Sequence, residues 1–348
     1  MKALVFKGPA TVAVEDVEAP RPGGPRDAVV RVRLSAICGS DLHVYNDHVP
    51  GLYSGMPMGH EYMGEVVTVG ADVTSVRPGD DVVGSFTLAC GGCAHCAAGR
   101  FNHCTSGRGY GFGPLFGDCG GTQAELVLVP DADVNLLGRP AGVSDEDALL
   151  VGDIMSTAWY ACRRGRVVDG DLVLTIGAGP VGVLCAMAAR AQGARRIVLA
   201  DTVPDRLDRA REITGAETVL VGEEGAAAAF RAIAPSGADV VIESAGLPAA
   251  LLDALTCVRD GGTVSVIGVH GEESMRMPSG DMFRRGVDLQ MCGPANVQGV
   301  WREVMAAVAA GTLSPSAVIS HRLRLEEAPH GYELFAARKA MKIVLDIA

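Results

Sequence analysis

Two hydrophobic rhythms divide the chain. Up to about residue 130 the apolar runs are short, either alternating with polar residues or briefly continuous, as in Val29 to Leu34, Glu65 to Val69, Asp81 to Phe86 and Glu125 to Val129. Gly, Pro and Asp gather between them. This pattern predicts short strands closed by turn chemistry, a small barrel or sandwich. The stretch from Gly107 to Gly121, rich in glycine and aromatic residues, reads as a loop passing over a site.

From about Leu172 the rhythm becomes strand, helix, strand, helix. Leu172 to Ile176, Ile197 to Ala200, Val240 to Ile242 and Thr263 to Ile267 are short runs rich in β-branched residues, and helical stretches such as Pro204 to Ile213 lie between them. That predicts a parallel sheet with helices on both faces. The alanine-rich run from Gly225 to Phe230 is read as helix. Beyond Pro294 come a predicted helix, Val297 to Ala310, a strand near Val318 to Leu325 and a last strand, Met341 to Ile347. Some 55 residues are too few for a further domain and pack best by returning to the first one. The expected division is therefore residues 1–153, an inserted α/β domain at 154–293, and a return at 294–348.

Composition narrows the classes. A chain of 348 residues predicts about two domains, and 48% apolar content supplies a core for each. A formal net charge of −11 without a Lys/Arg cluster argues against nucleic acid and anionic membranes. The longest uncharged run, Leu172 to Ala189, is broken by Gly177, Gly179, Pro180 and Gly182, so it is not expected to span a bilayer. The N-terminal residues do not resemble a secretion signal, and the expectation is a cytoplasmic protein. Of the ten cysteines, Cys119, Cys162, Cys185, Cys257 and Cys292 read as buried reduced thiols and the other five fall in metal-type patterns.

Gly177-Ala-Gly179-Pro180-Val181-Gly182 follows a strand and opens a helix, the context in which G-x-G-x-x-G has a mechanism. The first glycine makes the turn, the second lets the backbone approach a pyrophosphate, and the third packs helix on strand. Asp201 ends the next strand, where a carboxylate can hold both hydroxyls of an adenosine ribose; NAD is favoured over NADP. A generic tight turn and a helix cap are the bland alternatives. Arg195, Arg196 and Arg206 lie near enough in sequence to soften the preference.

Cys90, Cys93, Cys96 and Cys104 form C-x2-C-x2-C-x7-C. Four thiolates complete the tetrahedron of a structural zinc and leave no open position. His95 and His103 are read as exposed bystanders. A second potential set is dispersed: Cys38 alone reads as a buried thiol, His60 as a satisfied core histidine, Asp153 as a helix cap.

Resemblance joins them. Cys38-Gly-Ser-Asp, Gly59-His-Glu-x-x-Gly64-Glu65 with Val66 to Val69, the four-cysteine loop and the Gly177 motif resemble, in order and over essentially the whole chain, the zinc-dependent alcohol dehydrogenases of the medium-chain dehydrogenase/reductase superfamily. The resemblance implies a GroES-like β-rich catalytic domain with a Rossmann domain, two zinc ions per chain, and NAD. It implies that Cys38, His60 and Asp153 bind the catalytic zinc, with Glu61 beside the metal and Asp41 fixing the His60 tautomer. Ser40 and His43 match a proton relay that runs through the cofactor ribose; for these the alternatives are a turn residue and a solvated side chain. Thr157, Val181 and Val269 fall where relatives contact the nicotinamide, and Arg206 lies near the adenosine ribose. Phe86, Tyr110 and Trp159 are candidates for a substrate wall. The implied chemistry is Lewis-acid activation of an alcohol as alkoxide, then hydride transfer to nicotinamide, or the reverse reduction of the aldehyde or ketone.

Departures are also visible. Gly39 stands where some members carry an arginine for the cofactor pyrophosphate, and aspartate replaces the third ligand of several relatives. Gly120 to Glu125 with Asp131 to Leu136 is similar to bacterial secondary-alcohol and formaldehyde dehydrogenases. Formaldehyde or another aldehyde as substrate (dehydrogenase or dismutase), reduction of a C=C or C=N bond, and a non-catalytic zinc and nucleotide binder are the alternatives. A homo-oligomer, tetramer or dimer, is implied, with Val264 to Val269 as an edge strand for pairing.

Overall fold

The computed structural model describes residues 1–347. The chain forms two compact units, one of Met1–Asp153 with the segment from Asn296 onward, the other of Ile154–Ala295.

The first unit is built on Ala28–Ile37, a strand of ten residues whose long apolar run lets it pair on both sides. Tyr62–Val69, Leu126–Val129 and Ile343–Asp346 all lie antiparallel to it. Asp81–Gly84 and Leu136–Gly138 extend the sheet on one side, and His321–Arg324 closes the other. The C-terminal segment thus supplies two strands to the N-terminal sheet. Strand crossings are close: a Cβ on Gly64 would meet Arg31 O at 1.9 Å, beside the register shift between Val32 and Leu34. Tyr62, Tyr110, Tyr332, Met56, Met58 and Leu4 fill the core beneath the sheet, with Lys2–Gly8 and Thr11–Asp16 as a separate hairpin.

The predicted elements are present with shifted ends. The strand expected to run to Phe86 stops at Gly84, and Leu126–Val129 begins one residue late. Pro315 puts a 3-10 turn at Pro315–Val318 before the strand His321–Arg324. Gly107 to Gly121 is mostly loop, with a two-residue strand at Arg108–Gly109 and a 3-10 turn at Gly113–Phe116.

The second unit is a six-stranded parallel sheet. Its order is Glu217–Leu220, Arg196–Asp201, Leu172–Ile176, Ala238–Glu243, Val258–Val266, Asp288–Met291, the doubly wound 3-2-1-4-5-6 arrangement. Strand direction through the order reverses between Leu172–Ile176 and Ala238–Glu243, so the crevice for a ligand opens at their C-terminal ends. Val264 to Val269 is not an edge: Val258–Val266 is paired on both sides, and Asp288–Met291 is the outer strand. Four residues with two polar side chains gave no apolar run by which to foresee it. No described helix is long and apolar enough to cross a membrane.

The sheet depends on one backbone contact at the glycine turn. A Cβ on Gly182 would meet Gly177 O at 1.8 Å, whereas one on Gly179 would meet nothing within 4 Å. Gly182→Ala should therefore destabilise the protein by about 1–3 kcal/mol, and Gly179→Ala should leave thermal unfolding unchanged; equal melting temperatures for the two variants would contradict this packing.

Candidate active site

Four side chains converge at one end of the first sheet. Cys38 directly follows Ala28–Ile37, His60 and Glu61 directly precede Tyr62–Val69, and Asp153 follows the helix Asp145–Val151. Their ligand atoms all lie within 4.8 Å of one another, and all four residues are buried. Two glycines allow the approach. Gly59 has φ +84° and a Cβ there would strike Gln123 at 2.4 Å; one on Gly152 would meet Gly84 O at 2.4 Å.

The imidazole is oriented. Nδ1 of His60 lies 2.9 Å from Asp41 Oδ1, while Asp41 Oδ2 accepts the Cys38 N–H at 2.9 Å. With Nδ1 facing Asp41, Nε2 is the ring nitrogen turned toward the other members of the group. Nε2 stands 3.2 Å from Asp153 Oδ2 and 3.4 Å from Ser40 Oγ, and Cys38 Sγ is 3.8 Å from the same Asp153 oxygen. Thiol, imidazole and carboxylates at these separations are a donor set that could hold a zinc ion. Burial pushes the Cys38 thiol up, and although burial opposes it, the hydrogen bond from His60 holds the Asp153 carboxyl below its ordinary value.

Glu61 has a partner that the sequence reading missed. Lys342 is fully buried, with Nζ 2.5 Å from Glu61 Oε1. Burial raises the Glu61 carboxyl and the ammonium of Lys342 partly offsets this, giving a value of about 7. A lone lysine opening the apolar run Met341 to Leu345 was the available signal, since a buried ammonium requires a counter-charge.

His43 stands half-buried on the short helix Asp41–Tyr45, its ring centroid 6.4 Å from that of His48. Burial first, then His48, lowers its pKa. Phe86 lies against His60 with ring centroids 6.0 Å apart. Tyr110 does not line the group: it is buried in the core against Tyr62, and its hydroxyl donates to Leu128 O. Phe112, not anticipated, stands 5.6 Å from the His60 ring instead. Trp159 is buried on Ile154–Gly165 in the second unit.

Cys90, Cys93, Cys96 and Cys104 form the second metal-competent group. Cys93 caps the short helix Ala94–Ala97 through its sulfur, 3.6 Å from Cys96 Sγ and 4.0 Å from Cys104 Sγ. The backbone N–H groups of Thr105 and Cys96 hold the Cys93 thiol down to about 5, so a thiolate is ready there. His103 is exposed as expected, but His95 is half-buried, and neither belongs to the group. Cys119 is half-exposed rather than buried. The carboxamide of Asn296 grips the lobe, accepting from Phe101 N–H at 3.1 Å and donating to Gly99 O at 2.8 Å.

In the second unit Gly177, at φ +103°, donates its N–H to Ala200 O, and Gly179 precedes the helix Pro180–Ala191 with open space where a side chain would stand. That opening at a helix N-terminus is the cradle a pyrophosphate needs. Asp201 is buried, with Oδ2 accepting from Ala178 N–H at 2.7 Å and Oδ1 from Val203 N–H at 2.9 Å; Arg206 Nη1 lies 3.9 Å away. Arg196 begins the strand that Asp201 ends and is engaged by Glu217, so of the arginines considered only Arg206 is near the carboxylate. Ser244 Oγ donates to Ile176 O and Gly177 O, and a Cβ on Gly246 would meet Val269 O at 2.5 Å, which links the turn to exposed Val269. Val181 is half-buried in the first turn of its helix, and Thr157 lies on Ile154–Gly165, which packs against that helix.

Comparison with known proteins gives the family. The family model "Alcohol dehydrogenase GroES-like domain" matches residues 24–138 and "Zinc-binding dehydrogenase" matches residues 180–310. A protein of Mycobacterium tuberculosis named "Probable zinc-binding alcohol dehydrogenase" is 36% identical, the match covering 99% of this chain and 87% of the relative. L-threonine 3-dehydrogenase of Rhizobium etli is 32% identical over 99% of this chain and 98% of its own length. The solved alcohol dehydrogenase TADH from Thermus sp. ATN1 is 42% identical with a TM-score of 0.96, covering 100% of both chains. Solved structures at 27% and 25% identity hold NADP and NADH. The β-rich unit is thus GroES-like, the parallel-sheet unit is Rossmann-like, and the chain belongs to the zinc-dependent alcohol dehydrogenases of the medium-chain dehydrogenase/reductase superfamily.

Proposed function

We propose that this oxidoreductase converts a small alcohol to its aldehyde or ketone with NAD, or runs the reverse, on the group Cys38, His60 and Asp153. The alcohol carbon gives a hydride, with its two electrons, to C4 of the nicotinamide; the hydroxyl proton goes to solvent and a carbonyl remains. Zinc, when bound, supplies the Lewis acidity that makes the hydroxyl acidic near neutral pH. The observation that carries the reading is the buried convergence of thiol, imidazole and carboxylate within 4.8 Å, with the ring already turned by Asp41.

The other residues have separable tasks. Ser40, its hydroxyl facing His60 Nε2, takes the substrate proton and passes it through the cofactor ribose to His43, whose lowered pKa keeps it neutral and able to accept. Glu61 stays beside the ligands, tethered by Lys342. Gly177, Gly179, Pro180, Val181 and Gly182 receive the pyrophosphate, and Thr157 and Val269 border the nicotinamide. Each Asp201 oxygen spends one lone pair on a backbone N–H and keeps another for a ribose hydroxyl. The four cysteines hold a structural zinc. Thiolate ligation fits a reducing compartment, the cytoplasm. A homo-oligomer, dimer or tetramer, would pair along Asp288–Met291, which has a neighbour on one side only.

Purified protein mixed with NAD and primary alcohols, secondary alcohols, polyols and formaldehyde should raise the absorbance of reduced nicotinamide, and a chelator should abolish the rise. Silence in folded, zinc-loaded protein would favour the non-catalytic alternative. Cys38→Ser and Asp153→Asn should each cost at least roughly 100-fold in kcat/KM, since loss of even an outer partner of a metal ligand costs 10–100-fold; wild-type turnover by either variant would sink the assignment. Asp201→Asn removes the charge and keeps one oxygen, and should raise NADP use relative to NAD by about tenfold, the worth of one charged hydrogen bond; an unchanged ratio would count against the ribose role. Because burial keeps the Cys38 thiol protonated, zinc must displace its proton, so affinity at this site falls as pH falls. Calorimetry in buffers of different ionisation enthalpy should show proton release on zinc uptake, and its absence would contradict thiolate ligation.

A further inference from the structure

Glu243 is a buried carboxyl that the chemistry proposed above does not use. It ends Ala238–Glu243, the strand beside Leu172–Ile176 where the strand order reverses, and it is fully buried. Its Oε1 accepts the N–H groups of Ala245 and Gly246, both at 2.8 Å, and its Oε2 stands 3.0 Å from Nε2 of His270. Its backbone oxygen accepts from Ile267 N–H at 2.9 Å and Gly268 N–H at 3.0 Å. One residue therefore holds both the turn after its own strand and the segment that follows Val258–Val266. Burying a carboxyl is costly unless its oxygens are bonded, and these partners bond them.

The two segments touch with no room between them. Gly246 has φ +69°, and a Cβ there would meet Val269 O at 2.5 Å; one on Gly268 would meet Gly246 N at 2.3 Å and Glu243 Oε2 at 2.8 Å. Val269 is left exposed at the C-terminal end of the sheet, where the crevice opens. Ser244, next to Glu243, donates to Ile176 O and Gly177 O, so the same turn reaches the glycine motif. Backbone bonds fix the segment as far as Gly268, and the contact of half-buried His270 with Glu243 ties the far side of Val269. The other ring nitrogen, Nδ1, is 3.8 Å from Glu272 Oε2, too long for a hydrogen bond.

We propose, resting on the cofactor reading above in which the glycine motif receives the pyrophosphate and Val269 borders the nicotinamide, that His270 is a positioning residue for the nicotinamide end of the cofactor. Its ring acts through Glu243, pinning Gly268 to His270 so that Val269 presents a fixed edge. The adenosine end, held at Asp201 and the glycine turn, does not depend on it.

ADP-ribose separates the two ends, because it carries the adenosine and both phosphates of NADH but no nicotinamide. In purified, zinc-loaded protein, NADH affinity is read by fluorescence and ADP-ribose affinity by calorimetry. His270→Ala should weaken NADH binding roughly tenfold, the worth of one hydrogen bond to a charged group, and leave ADP-ribose within about twofold. His270→Phe, which fills the space without a hydrogen-bonding atom, should behave in the same way. His270→Gln, whose amide both donates and accepts, should return NADH affinity to within about threefold of wild type. Equal losses for both ligands would mean that the pair supports the whole crevice, and unchanged NADH affinity in the Ala and Phe variants would mean that it holds nothing the nicotinamide needs. Either result, or no recovery in His270→Gln, would overturn the proposal. Wild-type protein that binds neither ligand would remove the cofactor reading itself, and the role of His270 with it; ADP-ribose binding by the wild type keeps that reading, whatever the variants show of His270.

Discussion

Buried charge is the constraint on which the first unit depends. Cys38, His60, Glu61 and Asp153 bring a thiol, an imidazole and two carboxylates into one water-poor volume, with a single buried ammonium, that of Lys342, against them. Such a group is costly without compensation, and removing one partner leaves a charge that nothing else can neutralise. A divalent cation resolves the imbalance. Much of the surrounding structure follows from that need: Asp41 turns the imidazole, glycines at 59 and 152 let backbone pass where a side chain would clash, and the C-terminal segment returns across the sheet with the lysine.

The second unit solves a different problem with backbone rather than charge. Side chains are left out at Gly179, where a Cβ would meet open space at a helix N-terminus, and helix is pressed on strand at Gly182, the arrangement proposed above to receive a pyrophosphate. Asp201 both ties the turn through the Ala178 and Val203 N–H groups and keeps a carboxylate at the strand end, so the feature that shapes the turn is also the one proposed above to meet a ribose.

Much of this was legible in the sequence, for identifiable reasons. Periodicity gave the change from antiparallel to parallel sheet, because half-buried strands alternate and doubly covered strands do not. Cysteine spacing gave the four-thiol lobe, and the glycine motif lay in register with its strand and helix. What remained hidden was non-local. Lys342 and Glu61 are 281 positions apart, and no spacing rule joins them. Tyr110 and Phe112 are two residues apart in a loop without periodicity, so which of them faces His60 was decided by the left-handed glycines between and beyond them. The outer strand Asp288–Met291 is too short and polar to announce itself, which is why the edge was sought at Val264 to Val269.

The most direct test of the central claim is zinc-edge X-ray absorption on protein of known metal content, repeated for Cys38→Ser. The account predicts two zinc ions per chain, one with four sulfur neighbours and one with a single sulfur among nitrogen and oxygen, and only the second altered in the variant. One zinc per chain with four sulfurs, indifferent to Cys38, would mean that the buried group at the end of the first sheet is not the metal site on which this reading stands.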